Sequence, residues 1–127
     1  MSFDPVRIGV IGTGRFGILH AKTLLGLAES ELVALVDCSE KALAELPEEF
    51  SGIPKYSAPE DALRKCPAEA WVVSTSTADH VQVTSMLLEQ DAHVLLEKPI
   101  SGNLQEALKL SPMVSQTQGK LMLGHIL

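Results

Sequence analysis

Cysteine, positive charge and long apolar runs are all scarce in this chain, and each shortage removes a class of explanation. The two cysteines, Cys38 and Cys66, form no C-x-x-C arrangement, which leaves no basis for a disulfide framework and suits free thiols in a reducing compartment. The four histidines, His20, His80, His93 and His125, lack ligand spacing such as H-x-x-x-H, so no metal site is expected. Lysine and arginine total 10 against 16 aspartate and glutamate, a net charge of −6. That balance offers no basic footprint for nucleic acid, and anionic lipid would repel it. No stretch approaches the roughly 18 apolar residues of a membrane span, and Met1-Ser2-Phe3-Asp4-Pro5 has neither the basic region nor the apolar stretch of a secretion signal. A cytoplasmic location, with no nucleic-acid or membrane partner, is expected. Repeats and low-complexity segments are also missing. With 127 residues, 46% of them hydrophobic, the chain has material for one domain, residues 1–127, burying roughly two-thirds of its unfolded surface.

What is present is a glycine-rich turn in a telling place. The apolar run Val6 to Ile11 leads directly into Gly12-Thr13-Gly14-Arg15-Phe16-Gly17, and Asp37 closes the next apolar run twenty positions after Gly17. This is the dinucleotide-binding fingerprint. Gly12 allows a sharp turn, Gly14 lets the backbone approach a pyrophosphate, and Gly17 lets the following helix pack close to the strand. A helix beginning near Arg15 aims its unpaired amides and positive dipole end at that anion.

Short apolar runs alternate with helical stretches along the whole chain. Strands are expected at Val6 to Ile11, Leu32 to Asp37, Lys55-Tyr56, Trp71 to Thr75, His93 to Glu97 and Leu121 to Gly124. Six strands separated by helices predict an α/β, Rossmann-like, doubly wound parallel sheet of order 3-2-1-4-5-6 with helices on both faces. In the first helix Gly17, Ile18, Ala21, Leu24, Leu25 and Ala28 form the sheet-facing stripe, with His20, Lys22 and Thr23 directed away from it. Asp91 stands where a left-handed turn must follow the helix over Asp79 to Gln90. Asn103 is expected to cap the last helix and Pro112 to break it.

Asp37, at the carboxyl end of the second strand, is placed to accept both hydroxyl hydrogens of an adenosine ribose, which favours NAD over NADP. A 2′-phosphate would bring a second negative charge beside it, costing roughly 4 kcal/mol at 4 Å and an effective dielectric of 20. Lys41, the one nearby cation in sequence, is expected to be solvated on the following helix. A helix-capping role for Asp37 is the competing reading. A methyltransferase would carry an acidic residue before its glycines, where this chain has Val10-Ile11, and a flavin enzyme would not explain the segment Glu97-Lys98-Pro99.

Gly12 to Gly17 followed by His20-Ala21, then Thr75-Ser76-Thr77 with His80, then Glu97-Lys98-Pro99 form a more specific set. On these residues the chain resembles the N-terminal, nucleotide-binding domain of the glucose-fructose oxidoreductase and inositol dehydrogenase family over essentially its full length. The resemblance implies that Lys98 is the catalytic residue of this domain, near the nicotinamide and the substrate hydroxyl, where its ammonium eases proton removal as hydride leaves. It implies that Glu97 holds the nicotinamide ribose, that Pro99 takes a cis bond aiming Lys98 into the cleft, and that Thr75, Ser76 and Thr77 line the central part of the cofactor. Ser76 departs from the proline or asparagine usual there. His80 is given no catalytic role, and His125 is placed near the nicotinamide at the end of the sixth strand.

Members of that family continue into a second domain, an open antiparallel sheet carrying the substrate pocket and an Asp-x-x-x-His motif whose histidine is the main proton acceptor. None of this occurs in the 127 residues, and the apolar ending Gly124-His125-Ile126-Leu127 reads as a cut chain. A histidine titrates near neutrality and an ordinary lysine far above it, so Lys98 alone is a poor base. The expectation is an NAD-binding domain of an oxidoreductase acting on a sugar, polyol or related alcohol, incomplete and inactive by itself. The alternative is a nonenzymatic NAD-sensing module. Homo-oligomerisation stays open, since an exposed sixth strand is able to pair artificially.

Overall fold

The computed structural model describes residues 4–124. Strands β1 (Val6–Ile11), β2 (Ser30–Val36), β3 (Lys55–Tyr56), β4 (Ala70–Val73), β5 (His93–Glu97) and β6 (Leu121–Gly124) form one sheet. All its pairings are parallel and its order is 3-2-1-4-5-6, as the alternation of strands and helices predicts. Ile11 stands opposite Val36 and Val73, Val73 opposite Leu96, and Glu97 opposite Gly124. The carboxyl ends of these strands therefore finish along one edge, the edge at which open parallel sheets bind ligands.

Helices α1 (Arg15–Gly26), α2 (Glu40–Ala44), α3 (Pro59–Lys65), α4 (His80–Glu89), α5 (Leu104–Leu108) and α6 (Leu110–Gln116) connect them. Successive strand residues point to opposite faces, so the sheet carries two cores. Val10, Leu35 and Val72 pack with Ala21 and Leu24 of α1 and with Phe50. Ile11, Val36, Val73 and Leu96 pack on the other side with Ala62 of α3, Leu87 and Leu88 of α4, and Leu110 of α6. Gly9 in β1 has a packing reason: a Cβ there would overlap the buried indole of Trp71. Among the described residues no helix is long and apolar enough to cross a membrane.

Several boundaries differ from the sequence expectation for local reasons. Helix α1 stops at Gly26, so Ala28 falls outside it, and Leu25 in its last turn is exposed rather than completing the buried stripe. The hydroxyl of Ser30 donates to the Leu24 carbonyl at 2.8 Å, and the Leu27 amide donates to the same oxygen at 3.3 Å, closing the helix there. Strand β4 ends at Val73, not Thr75, because the chain leaves the sheet after the Ser74 amide donates to the Ile11 carbonyl. Asp91 does adopt a positive φ of 59°, and its Oδ1 accepts from the Gln118 amide at 2.9 Å and the Thr117 hydroxyl at 3.0 Å. Asn103 caps α5 by accepting from the Glu106 amide at 2.8 Å. The break falls at Lys109, between α5 and α6, since Pro112 lacks an amide hydrogen and its ring crowds the carbonyl four residues back.

Candidate functional site

The glycine loop joins β1 to α1 through three different constraints. Gly12 sits at φ +96°, and a Cβ on it would overlap the Ser74 carbonyl. Both conformation and space therefore require glycine. A Cβ on Gly17 would overlap the Gly12 carbonyl oxygen, so the first turn of α1 lies directly on the exit from β1. At Gly14 the opposite holds: nothing lies within 4 Å of where its Cβ would be. This residue precedes α1 in an extended conformation with no side-chain cap, which leaves the first amides of the helix open toward solvent. An anion fits that opening without displacing any side chain.

Asp37 lies one residue beyond β2 and is half-buried. Its Oδ2 accepts from the Thr13 amide at 2.9 Å and the Thr13 hydroxyl at 2.8 Å, while Oδ1 accepts from the Ser39 amide at 2.9 Å. Burial pushes its pKa up, but the donors at Ser39 and Thr13 outweigh burial and hold the carboxyl below its ordinary value. The capping role falls to a neighbour, because Ser39, not Asp37, accepts from Ala42 at the start of α2. Three of roughly four lone-pair directions are used inside the protein, which leaves room for a further donor. Lys41 is exposed and pairs with Glu45 at 3.9 Å.

Two clefts meet along the sheet edge. The larger, about 480 Å³, runs from Asp37 and Cys38 past Gly12 and Gly14 to Thr75 and Ser76. The smaller, about 200 Å³, is bordered by Arg15, Phe16, Thr77, His80, Glu97 and Lys98. Gly14, Ser74 and Thr75 line both, so the two clefts share a waist over the glycine loop. Of the residues predicted from sequence, Thr13 and Gly17 line neither cleft; Thr13 braces Asp37 from behind and Gly17 braces the turn. His125 lies outside the described residues.

At the smaller cleft, Glu97 ends β5 and the Lys98-Pro99 bond is cis, as the resemblance implies. Lys98 is exposed to the cleft. His80, the first residue of α4, is 2% exposed, with Nδ1 2.7 Å from the Pro99 carbonyl and Nε2 3.1 Å from the Thr75 carbonyl. It ties the loop after β4 to the loop after β5, which gives this histidine a bracing role rather than a place among the reacting groups.

Sequence reasoning missed the part played by six residues. Ser74, on the shared waist, supplies the carbonyl that confines Gly12. Asp79, Gln82, Val83 and Met86 form the wall of the larger cleft at helical spacing, a pattern visible in the sequence once α4 is placed beside the site. His20, read only as lying off the apolar stripe of α1, has Nε2 2.5 Å from Glu97 Oε1, a pairing across 77 positions that no local pattern signals.

A profile described as "Oxidoreductase family, NAD-binding Rossmann fold" matches residues 6–125. Myo-inositol 2-dehydrogenase of Thermotoga maritima is 32% identical over 113 residues, which is 89% of this chain and 33% of that protein. Inositol 2-dehydrogenase of Rhizobium meliloti is 30% identical over 120 residues, 94% of this chain and 36% of that one. The crystal structure of scyllo-inositol dehydrogenase from Lactobacillus casei with bound cofactor NAD(H) and scyllo-inositol superposes with a TM-score of 0.87 at 22% identity, covering 95% of this chain and 36% of that one, and so shares the fold. The chain spans about a third of the length of the curated relatives it matches. With its glycine turn, its strand order and a match over residues 6–125, the chain belongs to the oxidoreductase family defined by an NAD-binding Rossmann fold.

Proposed function

We propose that this domain binds NAD in preference to NADP along the carboxyl edge of its sheet and forms the cofactor half of an oxidoreductase acting on a sugar, polyol or related alcohol. The observation that carries the reading is the open space at Gly14, flanked by Asp37 on one side and by Glu97 and Lys98 on the other. Amides at the start of α1 would hold the pyrophosphate, Asp37 the adenosine ribose, Thr75, Ser76 and Thr77 the middle, and Glu97 the second ribose. Bound NAD supplies the hydride acceptor. Lys98 would donate a hydrogen bond to the substrate oxygen and stabilise negative charge as it develops there. The inositol dehydrogenases to which the chain is similar support the polyol substrate class; the family resemblance implies that the proton acceptor lies in a second domain. An acidic chain with free cysteines suits the cytoplasm.

Titration calorimetry with NAD, NADP, FAD and S-adenosylmethionine tests the reading. NAD should bind at least about tenfold more tightly than NADP, a difference of about 1.4 kcal/mol, with no heat from the other two. Equal affinity for NAD and NADP would remove the role given to Asp37, and no binding of either would remove the proposal.

A further inference from the structure

We propose that His20 is a positioning residue that fixes the Glu97 carboxylate for the sugar diol at the nicotinamide end of the cofactor; the inference rests on the role given to Glu97 above. Glu97 ends β5 with a side chain only 14% exposed, and His20 reaches it from α1, its Nε2 2.5 Å from Oε1. An ionised carboxylate accepts, so Nε2 carries the hydrogen. At this depth the pair is not a solvated rim contact, the kind that contributes little.

The opposite side of the carboxylate is bounded as well. Gly124 of β6 pairs with Glu97 across the sheet, and a Cβ on Gly124 would lie 3.2 Å from Oε1, 3.4 Å from Cδ and 3.5 Å from Oε2. The glycine makes room for the carboxylate while the imidazole sets which oxygen faces inward. Among the described residues Oε2 has no protein hydrogen bond, and Glu97 borders the smaller cleft. One oxygen is thus committed and the other is left for a ligand hydroxyl.

The two ends of the site also share one rigid element. Helix α1 starts immediately after Gly14, at the anion opening, and His20 lies on that same helix. Whatever seats the first turn of α1 on a pyrophosphate also sets the height of the imidazole against Glu97.

The test compares NAD with ADP, which keeps the adenosine and pyrophosphate but lacks the nicotinamide riboside, on the 127-residue chain. His20→Leu should weaken NAD binding by about tenfold while ADP affinity stays within about twofold. His20→Gln, which keeps a donor near the Nε2 position, should restore NAD affinity to within about threefold of the parent. Glu97→Gln should give the same selective loss, and adding His20→Leu to it should cost no more than about twofold further, because the two residues act as one unit. If His20→Leu weakens NAD and ADP equally, or leaves NAD untouched while Glu97→Gln weakens it, the positioning role is wrong and the reading of Glu97 stands. If Glu97→Gln itself leaves the NAD-to-ADP ratio unchanged, the role of Glu97 fails and this inference with it. Melting curves by circular dichroism confirm that each variant is folded, and His20→Ala, with the same expected selective loss, carries the test if His20→Leu is not.

Discussion

Replacing Asp37 by asparagine changes few atoms yet should disturb both the architecture and the chemistry of the site. The carboxylate accepts three hydrogen bonds, two on Oδ2 from Thr13 and one on Oδ1 from Ser39. An amide has only one accepting oxygen. If that oxygen keeps Thr13, the NH2 group faces the Ser39 amide, donor against donor; if it keeps Ser39, the NH2 group faces the Thr13 amide instead, and the Thr13 hydroxyl must turn to accept from it. A hydrogen bond to a charged group is worth about 1.5–3 kcal/mol, so the variant should lose about 2 kcal/mol of stability in this half-buried setting. For a domain of this size that corresponds to a fall in Tm of roughly 8 °C. Binding should change separately. Removing the charge relieves the repulsion of a 2′-phosphate, at most about 4 kcal/mol and less where solvent screens it, so the NAD-to-NADP affinity ratio should fall by at least about tenfold. Thermal melts and calorimetric titrations on the same preparations read both effects. A variant that melts with the parent and keeps its cofactor ratio would refute the view that this carboxylate braces the loop and discriminates the ribose.

Three further outcomes follow from particular contacts. Gly17→Ala must push a methyl group into the Gly12 carbonyl and should destabilise by about 3 kcal/mol, whereas Gly14→Ala should melt near the parent yet bind NAD at least about tenfold more weakly; the pair separates the packing glycine from the approach glycine. Thr84 is wholly buried and its hydroxyl has no partner among the described residues, so Thr84→Val should raise stability by about 1 kcal/mol in urea unfolding. Because the donors at Ser39 and Thr13 hold Asp37 below its unfolded pKa, its contribution is fully present above about pH 4 and is lost as pH falls through the lower folded value. Melting temperature should therefore decline more gently in acid for Asp37→Asn than for the parent, and a steeper decline would contradict the sign.

The parts of the molecule that were legible in the sequence are those set by neighbours in the chain. The sharp turn at Gly12, the start of α1 at Arg15, the cap at Asn103 and the turn at Asp91 each follow from residues within a few positions. Strand order followed too, since parallel strands joined by right-handed crossovers leave few alternatives. What remained hidden depends on partners far apart. Asp37 could be read as a ribose ligand, but not as the brace of Thr13, 24 positions away. His20 was placed off the apolar stripe of α1 with no partner assigned, because Glu97 belongs to a strand on the far side of β4. The apolar Leu25 suggested burial, yet in the last turn of α1 only Leu24 reaches the core and Leu25 stays exposed.

The waist formed by Gly14, Ser74 and Thr75 borders both clefts at once. Split into its two mononucleotides, a dinucleotide would present two separate phosphates competing for the one set of open amides beside this constriction, at the start of α1. On the reading proposed above, the halves should therefore exclude one another instead of filling the trough side by side, and the covalent bridge between them would be what lets one molecule occupy both clefts.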